Sequence, residues 1–302
     1  MINIKDLFRR SKEMEKEKGK ERKSESVKAG EKKDNKERRC TLMVERIAQS
    51  VRMQSVMVIG NVHGRVREED TMYLYQPGKP VQKVQVLGIE LGPREIVETA
   101  KNQQVALCLD IEDVEAVSLF AVLSNVAPVE GERAERVIEN QRLFGLMMEY
   151  DRLYQNAAYM DALLYELCYA KLLVPLYMSC PPVPQEDGTL AFPDNAQPGF
   201  KAIKMKGDDS RTVFPAFTDE VATMAWKDAF PEGQPKQFAT MQLPHLMHYA
   251  NQGHAGFAIN PFGPVPVFFS NELLERVIKS EVFLKRYGNP VAAPKKEEAT
   301  QE

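Results

Sequence analysis

The stretch SVMVIGNVHGRV (Ser55–Val66) sets Gly60 and Gly64 inside a β-branched apolar run, with His63 and Arg65 beside the second glycine. Glycines so placed serve either a loop that cradles phosphate or a strand that turns a corner. A phosphate loop needs four residues between its glycines and a following Lys-Ser/Thr, because backbone donors must curl round the anion while the lysine neutralises it. Here only Asn61, Val62 and His63 intervene, and Arg65 and Val66 follow. The corner reading explains more: Val58, Val62 and Val66 alternate with outward residues, and glycine permits the bend or bulge of a tight barrel.

Working outward, MQSVMVIGNV, TMYLYQ, VQKVQVLGIEL and QQVALCLDI read as short strands, and REED and QPGKP supply turns. Short strands at this spacing with no long helix between them predict a small all-β barrel over 41–128. After Pro128 the period changes. AERVIENQRLFGLMMEYDRLYQ places Val137, Leu143, Leu146, Met147 and Leu153 near one helical face, and AYMDALLYELCYA repeats the pattern. KLLVPLYM is a strand, and a Pro/Gly-rich loop runs from Cys180 to Gly199. FKAIKMKG and RTVFPAF form an antiparallel pair, DEVATMAWKDAF a helix and KQFATMQL a strand. PHLMHYANQ is a short helix, and GFAI and VPVFF are strands around the turn NPFG. One last helix spans Asn271 to Tyr287, with Ser270 as its N-cap and Gly288 as its C-cap. Helices mixed with hairpins predict an α+β domain over 129–288. The fold class is therefore multidomain, a barrel followed by α+β.

Charge frames these domains. Of the 302 residues, Met1–Arg39 holds 15 Lys and Arg against 9 Asp and Glu, a net of +6, so the remainder carries −9 to reach the overall −3. Residues 11–39 have almost no aliphatic side chains, so 1–40 is expected to be a disordered charged tether, and 289–302 a disordered tail. Ile4, Leu7 and Phe8 stand at helical spacing beside Arg9 and Arg10, the pattern of a weak peripheral membrane anchor in residues 1–10. No apolar run has the ~20 residues of a membrane-spanning helix and no secretory leader is visible, which predicts a cytoplasmic protein. Cys40, Cys108, Cys168 and Cys180 are too scattered for a C-x-x-C pair or a disulfide framework.

Two resemblances follow from these residues. Gly60, Val62, Gly64, Val66, Asp70, Ile89, Ala100, Val105, Leu107 and Leu109 trace a pattern that resembles the second domain of elongation factor Tu and related translational GTPases. Two departures stand out: Glu69 occupies the place of the glycine before the turn aspartate, and the glycine expected before the closing VLS is missing from SLFAVLS. The resemblance implies docking to tRNA or ribosome, with no GTPase domain alongside. Residues 41–127 hold 8 basic and 11 acidic side chains, a poor phosphate-tracking surface unless Arg65, Arg67, Lys79 and Lys83 cluster.

From about residue 133 to 288 the chain is similar to the SseB amino-terminal domain family, named for enhanced serine sensitivity in bacteria. The matching positions are Leu173, Val174 and Pro175, then Pro215, Phe217, Thr218, Asp219, Glu220 and Trp226, then Gly256, Ile259, Asn260, Pro261 and Gly263. The family name points to serine sensitivity and amino-acid metabolism but implies no mechanism; with no catalytic constellation in the sequence, the chain is expected to be a non-enzymatic binding or regulatory adaptor with a protein partner and no cofactor.

The candidate binding residues are Arg65, Arg67, Trp226, Asn260 and Phe262. In NPFG, Asn260 is expected extended before its proline and Gly263 is expected to take the positive φ. Trp226 should face the core from its helix, or serve a partner. A rival reading makes the protein a metal- or small-molecule-binding enzyme through His245, His248 and His254; no H-E-x-x-H or G-x-S-x-G motif accompanies them.

Overall fold

The computed structural model describes residues 39–92, 95–131, 137–185, 190–205, 207–230, 236–263 and 265–288. The expected tether apart from its last two residues, the membrane-anchor pattern in 1–10 and the expected tail lie outside these residues. Arg39 and Cys40, assigned to the tether, are part of the fold, and Cys40 is buried beneath the barrel.

The first ten strands are β1 (Thr41–Met43), β2 (Arg46–Ser50), β3 (Ser55–His63), β4 (Arg65–Arg67), β5 (Thr71–Tyr75), β6 (Gln82–Gly92), β7 (Glu95–Val97), β8 (Thr99–Lys101), β9 (Gln104–Leu109) and β10 (Val122–Ser124). Six of them close an antiparallel barrel in the order β1-β10-β5-β6-β9-β3, with β3 pairing back to β1. β2 and β7 extend this sheet, and β4 and β8 form a separate ribbon. Val56, Val58, Val62 and Val66 point into the barrel core with Leu74, Val86 and Leu107, as the period-2 pattern requires. The corner, however, belongs to Gly64 alone. It has φ +109, and its N–H is accepted by Asn102 Oδ1 at 2.8 Å. Gly60 sits mid-strand without a positive φ and serves a close approach instead.

Both positions where the barrel pattern lacks a glycine keep the backbone a glycine would favour: Glu69 has φ 68 and Phe120 has φ 58. A bulky residue in the left-handed region is strained. Phe120 turns that strain to use by laying its ring edge-on against Tyr159, with centroids 6.2 Å apart, on the neighbouring α+β core.

That core is built from α1 (Gln141–Met148), α2 (Tyr150–Leu153) and α3 (Ala157–Tyr169) packed over two sheets. β11 (Leu172–Met178) lies between β14 (Pro198–Phe200) and β17 (Gln237–Met241), while β12 (Val183–Pro184) and β13 (Leu190–Ala191) form a hairpin within the proline-rich loop. The other sheet runs β15 (Ile203–Met205), β16 (Asp208–Ala216), β18 (Gly256–Ile259), β19 (Val267–Ser270), with β16 and β18 parallel. A bridge from Leu173 to Phe217 joins the two sheets. The remaining helices are α4 (Glu220–Thr223), α5 (Leu243–Ala250), α6 (Asn271–Val277) and α7 (Glu281–Tyr287).

Three expected helices are shorter than their apolar periodicity suggests. The first starts at Gln141, leaving Val137 exposed outside it, because Asn140 is tied by its amide to the carbonyls of Lys171 and Thr218. The last is two helices, since Ser280 caps a second start through the N–H of Phe283. The expected caps Ser270 and Gly288 are in place, with Ser270 Oγ accepting from the N–H of Leu273 and Gly288 at φ 78. The DEVATMAWKDAF helix shrinks to one turn, α4, so Trp226 lies beyond it; the ring is nevertheless buried.

Barrel and α+β region share apolar contacts. Met43 and Val122 join the core of Leu143, Leu146 and Met147, and Gly145 of α1 lies so close that a Cβ there would meet Val122 Cγ1 at 2.4 Å. A polar latch sits beside this seam. His63 Nε2 lies 2.6 Å from Glu149 Oε1, while Arg152 donates from Nε to Glu149 Oε2 at 2.9 Å and through both terminal nitrogens to Glu45. Burial alone would push the Glu149 carboxyl up, but the hydrogen bonds from His63 and Arg152 outweigh it and hold the group below the ordinary range. A depressed folded pKa adds stability above the unfolded pKa and loses it as pH falls through the folded one. Glu149→Gln is therefore expected to destabilise the protein by about 1–2 kcal/mol near neutrality. That difference should hold down to about pH 5 and shrink progressively below it, as urea unfolding at each pH would show. A difference independent of pH would exclude the latch as an acid-sensitive contact.

Candidate functional site

Thr218 and Asp219 follow β16, where the chain leaves the sheet to start α4. Asp219 caps that helix, its Oδ1 accepting the N–H of Ala222 at 2.8 Å. Its other oxygen takes a proton donor from Arg39 at 3.2 Å, and Arg39 also lies 4.3 Å over the ring of Phe144. Asn260, at the end of β18, locks onto the same point. Its Oδ1 accepts the N–H of Thr218 at 3.0 Å, its Nδ2 donates to Thr218 Oγ1 at 3.0 Å, and its own N–H donates to Ala216 O at 2.8 Å.

These bonds overturn the expected geometry of the NPFG turn. Asn260, not Gly263, takes the positive φ, at 51°, and it is 0% exposed. Asparagine tolerates the left-handed region because its short amide bonds locally. The turn closes through Gly263 N–H to Asn260 O at 2.9 Å. Asn260 thus meets no solvent; it fixes the turn that presents Phe262.

Phe262 is 43% exposed and stacks on Trp226 at 5.4 Å between centroids, and Trp226 in turn stacks on Phe217 at 6.1 Å. Lys201 Nζ lies 5.8 Å from the indole. Close by in sequence, Val221 and Met224, three residues apart around α4, are 72% and 66% exposed. Phe262, Val221 and Met224 are thus large apolar side chains left exposed, while Trp226 is buried. The sequence singles out Trp226, Asn260 and Phe262 as candidates but not Val221 and Met224, since a longer α4 would have placed both on an ordinary amphipathic helix.

The other candidates lie elsewhere. Arg65 and Arg67 project outward from β4, with Arg65 in register with Lys101 of β8 and Val66 buried between them. No ion pair engages these three cations among the described residues. Lys79 donates to the carbonyl of Ala116 at 3.3 Å, away from the ribbon. His245 and His248 are exposed on α5, and His248 pairs with Gln252. His254 bonds Thr212 Oγ1 through Nδ1 at 2.6 Å and stacks on Phe214; burial lowers its pKa. Among the described residues no three His, Cys, Asp or Glu side chains converge as a metal site. Burial pushes the Cys168 thiol up to about 11 and that of Cys40 to about 12, against thiolate chemistry at either. Among the described residues no helix is long and apolar enough to cross a membrane.

No curated protein matches the chain. The elements that build the Trp226 face fall within a matched region: residues 146–276, from within α1 through β11, β16, α4, β18 and β19 to α6, match the family model of the SseB protein N-terminal domain.

Proposed function

We propose that this protein is a non-enzymatic binding and regulatory adaptor whose α+β region recognises a protein partner through the face around Trp226 and Phe262. The observation that carries this reading is the construction of that face. A buried, fully bonded Thr218–Asp219–Asn260 network holds Phe262 outward on the tryptophan, at the expense of a left-handed asparagine. The similarity to the SseB domain supports a link to serine sensitivity and amino-acid metabolism.

Affinity capture on the full chain tests it. Phe262→Ala and Met224→Ser, both at exposed positions, are expected to lose a defined set of co-purifying proteins while melting within a few degrees of the parent. A purified partner from that set should quench the emission of Trp226, the only tryptophan in the chain. Identical captured proteins for parent and variants would end the proposal.

A second reading rests on the ribbon. Like charges in register across two strands oppose folding, so the outward Arg65–Lys101 pair with Arg67 beside it favours an anionic partner. Together with the resemblance to the elongation-factor barrel, this supports binding to tRNA or ribosome. The complex should weaken with salt and with Arg65→Ala/Arg67→Ala, and no binding at low ionic strength would dismiss it.

A further inference from the structure

The described residues begin at the Trp226 face. Arg39, the first of them, donates to Asp219 Oδ2 at 3.2 Å and lies over the ring of Phe144, and the N–H of the buried Cys40 is accepted by Asn125 Oδ1 at 2.8 Å. Asp219 is the N-cap of α4. Whatever precedes Arg39 therefore joins the fold at the start of the helix that carries Val221.

That helix turns an apolar side to water. Val221 and Met224 belong to one helical turn, the N–H of Met224 donating to Val221 O at 3.2 Å, and residues three apart on a helix are neighbours. Both are exposed, as is Phe262. Phe262 is tied to the same point of the fold, since it lies two residues after Asn260, whose amide bonds Thr218 immediately before the cap. Grouped apolar side chains left exposed mark interaction sites.

Two terminal stretches of the chain lie outside the described residues. Residues 289–302, NPVAAPKKEEATQE, have Val291 as their one large apolar side chain. Residues 1–38 gather theirs at the far end: Met1, Ile2, Ile4, Leu7 and Phe8 stand within eight positions, whereas 9–38 hold only Met14 and Val27. Ile4, Leu7 and Phe8 have the i, i+3, i+4 spacing of the anchors with which a segment docks on an apolar face. The chain from 11 to 38 spans at most about 95 Å extended and about 30 Å as a coil, against about 6 Å for the length of α4. A tether of that reach holds its end near its point of attachment at an effective concentration on the order of millimolar. Charge does not select the contact, because Glu220 and Asp228 are exposed beside the face and so are Lys201 and Lys227. Selection falls to the apolar side chains.

We propose that residues 1–10 of this chain are the resident occupant of that face, docking in cis with Ile4, Leu7 and Phe8 over Val221, Met224 and Phe262. This occupancy rests on the reading of the Trp226 face as a recognition surface and adds its regulation. A protein partner has to displace a ligand that the chain itself supplies, so the face stays closed to weak binders.

The test is oxidation of the full-length protein by dilute hydrogen peroxide, with the rate at Met224 read by peptide mass spectrometry and the exposed Met53 of the barrel as reference. Leu7→Ser/Phe8→Ser is expected to raise the Met224 rate about threefold or more and to leave the Met53 rate unchanged, because a covered thioether is oxidised slowly. Equal Met224 rates in the two chains, the result if residues 1–10 serve a membrane surface instead, would overturn the proposal. Protection of the parent that disappears on dilution would also overturn it, since the occupant would then be a second copy. Cis occupancy and partner binding fail separately. Proteins lost from Phe262→Ala in affinity capture, with equal Met224 rates, keep the adaptor and remove its cis segment; identical captured proteins, with Met224 protected in the parent, keep the cis contact and end the adaptor reading.

Discussion

Gly60→Ala is expected to cost about 3 kcal/mol or more, enough to leave much of the barrel unfolded in dilute urea. The reason is not dihedral, since Gly60 has no positive φ. A methyl group there would stand 2.1 Å from the carbonyl oxygen of Met43, and 3.1 Å from Leu42 Cδ2. A side chain could rotate aside; the Met43 oxygen cannot, because β1 closes the ring through Leu42↔Val62 on one side and Met43↔Val122 on the other. Relief would require opening the barrel at its seam. Gly92→Ala is the matched control, with no positive φ and open space around it, and is expected to be neutral or to stabilise by about 0.5 kcal/mol through the unfolded chain. Urea midpoints for the two variants decide the matter; equal midpoints would remove close approach as the reason for the glycine.

Phe120 should invert the usual ranking of alanine and glycine. Phe120→Ala loses the edge-on contact with Tyr159 and the packing on the α+β core while keeping φ near 58, and is expected to cost about 3 kcal/mol. Phe120→Gly loses the same ring but relaxes the backbone, so it should be more stable than the alanine variant by about 1 kcal/mol. Ordinarily glycine is the worse of the two by a similar amount. Glu69→Gly separates strain from packing, because Glu69 is exposed at φ 68 and gives up no core contact; a gain of up to about 1 kcal/mol is expected there. Denaturant unfolding of the three variants reads all of this, and an alanine variant as stable as the glycine one would show that left-handed strain plays no part at residue 120.

Much of the architecture was legible in one dimension. Alternation of valines marked the barrel strands, because period-2 burial is written into the strand itself. Ser270 and Gly288 marked helix ends, because caps are local chemistry. Two of the four non-glycine residues with positive φ among the described residues of the barrel, Glu69 and Phe120, stand where the barrel pattern lacks its glycines, the second within SLFAVLS; the other two are Gln54 and Asn102. What failed to show was whatever depended on a distant partner. Helix α1 starts late because Asn140 is claimed by Lys171 and Thr218, and α1 ends at Glu149 where that carboxylate turns into the latch. The NPFG turn went wrong for the same reason: proline and glycine rules favour an extended Asn260, but bonds to Thr218, 42 residues earlier, hold it left-handed.

The candidate site divides along the same line. Trp226 and Phe262 could be singled out as aromatic residues near turn chemistry, and the SseB-like pattern could be traced, because identity and spacing are properties of the chain. That Phe262 is stacked outward on Trp226 and that Asn260 is buried beneath it were settled by contacts between segments far apart in the chain. Periodicity and turn residues encode energies between neighbours, so they are readable from order alone. His63 meeting Glu149 across 86 positions, or Gly145 meeting Val122, is an energy between surfaces that exist only once barrel and helices have folded and packed.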